Sequence, residues 1–145
     1  MLVSRRLIDY SFQVVASPEY INKYGEPKFP EDLTQHNCLV YSASKGNNNW
    51  PFRMPSGESI IVKAEGKLTC NDGQLIVNAA ISGLGIGFGP NFLIRKYFES
   101  SALRPQLTDF QQSTTISALY PLNNNLPRRV RVLIDFLAEH LSIQN

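Results

Sequence analysis

The side chains best placed to act as acid, base, nucleophile or metal ligand are few in this chain. There are two histidines, His36 and His140, and two cysteines, Cys38 and Cys70. His36-Asn37-Cys38 sets an imidazole and a thiol two positions apart, but one such pair does not make a zinc site. His140 falls at the end of the last helical segment, far along the chain. No G-x-S-x-G elbow and no histidine-rich helix motif occurs. A fold could still bring an acid–base pair together. Two histidines and no paired carboxylates nevertheless favour binding over turnover, so no catalytic residue, metal or cofactor is expected.

Gly83-Leu84-Gly85-Ile86-Gly87 invites a dinucleotide-binding reading. That fingerprint needs G-x-G-x-x-G directly after a strand and opening a helix. Here the glycines follow a helix and open a strand, and Phe88 stands where the third glycine should be. The reading is rejected.

Ligand binding has better candidates in the helix starts. Ala16-Ser17-Pro18, Cys70-Asn71-Asp72 and Gly89-Pro90-Asn91 are short strand-to-helix junctions. Each presents free N–H groups, and each helix dipole favours an anion by about 0.3–1 kcal/mol. In an open α/β sheet, ligands bind outside the carboxyl ends of strands. Ser17, Asn71, Asp72, Gly89 and Pro90 are therefore the expected binding residues, and a carboxylate or polar head group the expected ligand. Asp72 complicates this, because its own carboxylate occupies the favourable end of its helix. Simple helix capping with no ligand is the competing reading.

The elements that must position these junctions follow from local pattern. Phe12 to Ala16 is an apolar run that reads as a buried strand. Ser17 as N-cap, Pro18 at the first helical position and Gly25 beyond the end bracket a short helix, Glu19 to Tyr24. Glu31-Asp32-Leu33 starts a helical turn, Cys38 to Ser42 is a strand, and Ser42 to Asn49 is a polar loop. Trp50 to Met54 and Glu58 to Ala64 form a hairpin around Pro55-Ser56-Gly57. Lys67 to Cys70 is a strand. A helix over 72–82 follows, capped by Asn71 or Asp72 and closed by Gly83 and Gly85. Next come strand Gly85 to Gly89, a helix from Asn91 to Glu99, an extended piece Leu103 to Leu107 and strand Thr114 to Tyr120.

A helix from Pro127 to about Leu141 ends the chain. Val130, Leu133, Ile134, Leu137, Ala138 and Leu141 make one apolar stripe on it. Arg128, Arg129 and Arg131 lie off the stripe, as a solvated face or a phosphate-binding cluster. Strands alternating with helices indicate an α/β protein with a parallel or mixed sheet.

Composition sets the bounds. A chain of 145 residues, 43% hydrophobic and 18% charged, suits one globular domain with its own core. The net charge of +2 is too small to imply nucleic-acid binding. Both cysteines sit in apolar, strand-like surroundings and are expected as reduced thiols. No stretch is long and apolar enough for a membrane span. Ser4-Arg5-Arg6-Leu7-Ile8 superficially matches a twin-arginine export signal, but Asp9 and Gln13 interrupt the apolar stretch it would need. A cytoplasmic location is expected.

With these residues laid out, the chain resembles the effector-binding domain of LysR-type transcriptional regulators, from about Leu7 to Leu141. The resemblance is carried by Val15-Ala16-Ser17-Pro18-Glu19-Tyr20-Ile21, Gly25-Glu26-Pro27, and Pro30-Glu31-Asp32-Leu33 through His36-Asn37-Cys38-Leu39. Trp50-Pro51-Phe52, Asn71-Asp72, Ala79 to Gly87 with Pro90, and Pro127-Arg128-Arg129-Val130-Arg131 to Leu137 continue it in order. The resemblance implies a periplasmic-binding-protein-like (type 2) fold of two α/β lobes with a small organic effector in the cleft. It places about 17–113 in the second lobe and about 114–145 as a strand and helix returning to an incomplete first lobe. DNA would be bound only by a winged helix-turn-helix domain that this chain lacks. The arginines of the last helix become a family feature.

The resemblance also sets the outward residues of the helix after Asn71-Asp72, Leu75, Asn78 and Ser82, near a subunit contact. The last helix would have been shaped to pack on lobe-one strands not present here, so self-association is expected. A freestanding solute-binding protein and a small α/β enzyme remain as alternatives.

Overall fold

The computed structural model describes residues 2–42, 48–121 and 127–143. Most of the polar loop between Ser42 and Asn49 lies outside them. The elements in order are β1 (Leu2–Ala16), α1 (Pro18–Tyr24), β2 (Leu39–Tyr41), β3 (Asn49–Arg53), β4 (Ser59–Lys63), β5 (Leu68–Cys70), α2 (Gly73–Ile81), β6 (Gly87–Pro90), α3 (Asn91–Glu99), β7 (Arg104–Gln106), β8 (Ser113–Pro121) and α4 (Arg128–Ile143). Short 3-10 helices occupy Pro30–Gln35 and Thr108–Phe110.

The chain divides into two compact units, one of residues 12–112 and one of 1–11 with 113–145. The larger unit is a mixed α/β structure. Residues 12–16 of β1 pair antiparallel with β6 on one side and β7 on the other. β2 and β5 pair in parallel, and a parallel bridge joins Cys38 to Ile86. β3 and β4 form the expected antiparallel hairpin, with Gly57 at φ 92 in its turn, where glycine carries no steric cost. The apolar run of β1 is buried on both faces because successive side chains point to opposite sides. Val14 and Ala16 enter a core with Tyr20, Leu33, Phe52 and Ile86. Val15 enters the other with Leu39, Ile76, Ala80, Ile94 and Leu103.

The smaller unit holds a strand segment that local sequence pattern does not mark. β1 extends back to Leu2, and its residues 2–11 pair antiparallel with β8. The register shifts between Arg6 and Ile8, so Leu7 is the extra residue of a β-bulge, and its side chain is buried. Charged residues interrupt the apolar pattern here, which hid the strand. The arginines of the apparent export signal are ion-pair partners within this unit. Arg5 bonds Asp135 of α4, and Arg6 bonds Asp9.

On α4, Ile134 is buried and Val130, Leu137 and Ala138 are half-buried, whereas Leu133 is exposed. Leu141 lies outside the described side chains. Val132 and Phe136, off the expected stripe, are exposed large apolar residues on the same helix. No described helix is long and apolar enough to cross a membrane.

Candidate functional site

His36, Cys38 and His140 each make contacts within the fold. His36 Nδ1 lies 2.6 Å from the Tyr20 hydroxyl. Burial pushes the His36 pKa below its ordinary value, and the Asp32 carboxylate opposes that shift. Burial also raises the Tyr20 pKa. A neutral imidazole accepting from a protonated phenol satisfies both shifts. Burial raises the Cys38 thiol to about 11, so it is no nucleophile, and its Sγ donates to Leu33 O at 3.5 Å. His140 stacks on Phe136 and its Nδ1 is 3.0 Å from the Phe136 carbonyl, one turn back on α4. No group of metal-ligating side chains occurs among the described residues.

Asn37, between His36 and Cys38, is the residue with the most structural consequence in that tripeptide. Its Oδ1 accepts from Lys67 N at 2.8 Å, and its Nδ2 donates to Leu84 O at 2.7 Å. Its backbone carbonyl accepts from Ile86 N at 2.9 Å, while Cys38 N donates to Glu65 O at 3.0 Å. Glycines permit this approach. A Cβ on Gly66 would lie 1.9 Å from Cys38 O, and one on Gly85 would lie 2.4 Å from Asn37 O. Gly83, at φ 81, terminates α2. The glycine run therefore seats a backbone clamp and ends a helix.

The three helix junctions differ sharply. Ser17 caps α1 by accepting from Tyr20 N at 3.1 Å, and only 2% of it is exposed. The turn at Gly83 comes close to it, since a Cβ there would lie 3.4 Å from Ser17 Oγ. At the start of α2 the cap is Asp72, whose Oδ1 accepts from Gln74 N at 3.0 Å. Asn71 and Asp72 are both exposed. Gly89 and Pro90 end β6 opposite Gln13 and Phe12.

A cavity of about 520 Å³ opens in the larger unit beside the last of these junctions. Gly89 and Pro90 line it, whereas Ser17, Asn71 and Asp72 do not; the start of α2 contributes Gly73 instead. One wall is the apolar face of α2, Ile76, Val77 and Ala80, with Leu93 and Ile94 of α3 beside it. The other is aromatic. Phe88 stacks on Trp50 with centroids 4.8 Å apart and on Phe12 at 5.2 Å. Tyr41 and Asn49 supply neutral polar groups, and no described lining residue carries a charge. Trp50, Phe88 and Phe12 come from three distant segments, and no local motif signals their meeting.

Residues 1–142 match the family model described as the LysR substrate binding domain. The chain belongs to that family. It is 32% identical to the HTH-type transcriptional regulator CrgA of Neisseria meningitidis, across 97% of this chain and 47% of that protein. It is also 32% identical to the HTH-type transcriptional activator TtdR of Escherichia coli, across 85% of this chain and 40% of that one. The chain thus spans about half the length of the curated relatives it matches. The structure superposes on the regulatory domain of CrgA with a TM-score of 0.75 at 31% identity, covering 97% of this chain and 70% of that one. On the regulatory domain of AphB from Vibrio vulnificus the TM-score is 0.78 at 28% identity, covering 96% and 69%. The fold is the periplasmic-binding-protein-like type 2 architecture, and the chain is a ligand-sensing regulatory domain by family.

Leu75 and Asn78 lie exposed on α2, and Ser82 is exposed as its C-cap. Asn78 Oδ1 accepts from Gln74 Nε2 at 3.0 Å, and that nitrogen also lies 3.1 Å from the Tyr97 hydroxyl.

Proposed function

We propose that this chain is the sensory part of a bacterial transcription factor that binds a small organic effector and alters DNA binding through a winged helix-turn-helix domain of the same protein. The observation that carries the reading is the family match along nearly the whole chain. The site proposed is the cavity at the end of β6, with Gly89 and Pro90 in its wall. Ser17 caps α1 and Asp72 caps α2, and neither they nor Asn71 belong to the cavity lining. No catalysis is proposed: its relatives in the family are transcriptional regulators, and both histidines make structural contacts.

The lobe boundaries proposed, about 17–113 and 114–145, are supported by the division of the structure at residues 12–112. Leu75, Asn78 and Ser82 are proposed for self-association because they are exposed on α2 and at its C-cap. The exposed apolar residues of α4 give that association a second surface. A cytoplasmic location accompanies a DNA-regulating role.

The expectation of a carboxylate effector rested on three converging helix N-termini. Ser17 is buried, and Asp72 supplies its own carboxylate to α2, so the start of α3 is its remaining support. A thermal-shift screen of small organic molecules, carboxylates and neutral compounds alike, tests the sensor reading. A ligand at one hundred times its Kd should stabilise the fold by about 2.7 kcal/mol. A full-length regulator whose DNA binding responds to no small molecule would overturn it.

A further inference from the structure

We infer that the cavity of the larger unit takes a neutral, flat aromatic molecule, held against the Trp50–Phe88–Phe12 stack. The inference rests on the sensor reading and narrows its ligand. Aromatic rings favour offset-stacked or edge-on partners, and Phe12, Trp50 and Phe88 all line one space. The volume of about 520 Å³ falls in the range of small-molecule sites and admits a one- or two-ring compound. Ile76 and Leu93 add aliphatic surface to the same lining. Tyr41 and Asn49 can orient a hydroxyl or amide without imposing a charge. A carboxylate would surrender its hydration to these walls and meet no cation among the described lining residues.

Gly89 makes the inference testable. A Cβ there would meet nothing within 4 Å, and its φ lies outside the left-handed region. A larger side chain can therefore occupy the ligand's space while the strand keeps its backbone.

The chain contains one tryptophan, so the Trp50 indole N–H gives a single resonance in a nitrogen-15 NMR titration. Cinnamyl alcohol and cinnamate share a skeleton and differ in charge. Cinnamyl alcohol should shift the Trp50 signal saturably, with cinnamate at least about tenfold weaker, the equivalent of 1.4 kcal/mol. Gly89→Leu should weaken the alcohol by at least about tenfold while the remaining amide spectrum stays dispersed. If that variant disturbs the fold, Phe88→Leu keeps an apolar wall without the ring and should weaken the alcohol by about three- to tenfold. Tighter binding of cinnamate, lost in Gly89→Leu, would overturn the neutral class and leave the sensor reading standing. Binding of neither compound, or binding of the alcohol unchanged by both substitutions, would overturn the cavity as a ligand site. The sensor reading would then be decided separately by the effector response of the full-length regulator.

Discussion

Two regions of the larger unit use glycine for opposite ends. Around Asn37, Gly66 and Gly85 let main chain meet main chain, and a methyl group on either would enter a carbonyl oxygen. At the end of β6, Gly89 adjoins open space. The first region is a closed joint tying the segment before β2 to those before β5 and β6. The second is the rim of a cavity. Glycine in a sequence marks a place where a side chain is missing, and only the neighbours decide whether the vacated volume is filled by backbone or kept for a ligand.

The contrast can be broken by substitution, and Gly66→Ala should do most. Its Cβ would lie 1.9 Å from Cys38 O, so backbone must move, at a cost of at least about 3 kcal/mol in urea unfolding. A stable Gly66→Ala protein would remove the joint from this account. Asn37→Ala should follow. It removes two hydrogen bonds at the surface, from the Lys67 amide and to the Leu84 carbonyl, and should cost about 1–2 kcal/mol by the same measurement.

Acidification should more mildly loosen the neighbouring His36–Tyr20 contact. The folded pKa of His36 is depressed, so its contribution is present above its unfolded value of 6.5 and is lost as pH falls below it. The melting midpoint should therefore drop as pH is lowered from 7 toward 5, and His36→Gln should flatten that part of the curve. The lowered Asp32 pKa acts in a separate, more acidic window, below its ordinary value of 3.8. A wild-type curve flat through the histidine range would argue against a buried neutral His36. The smallest effect belongs to Gly89→Ala, which should change stability by no more than about 0.5 kcal/mol. A large loss there would mean that the rim is as tightly joined as the clamp.

Much of the fold was legible because it depends on near neighbours in the chain. The Ser17-Pro18 cap, the Pro55-Ser56-Gly57 turn and the Asp72 cap with Gly83 beyond the helix end each determine local geometry, and α1, the β3–β4 hairpin and α2 follow the expected ranges. The opening ten residues of β1 were not legible. That strand is stabilised by pairing with β8, more than a hundred residues away, and its charged side chains interrupt the periodicity. The site was legible only in part. Gly89 and Pro90 stand on the cavity, but equal treatment of three helix starts could not reveal that α1 begins in the protein interior.

The sequence by itself determined where helices start and strands end, because caps, turns and periodicity act over a few residues. It also carried the family, through an ordered series of short matches. Tertiary structure decided which junction opens on a cavity, which glycines are filled by backbone, and that His36 meets Tyr20. Those outcomes depend on distances between segments tens of residues apart. The meeting of Phe12, Trp50 and Phe88 exists only once the larger unit has closed around them.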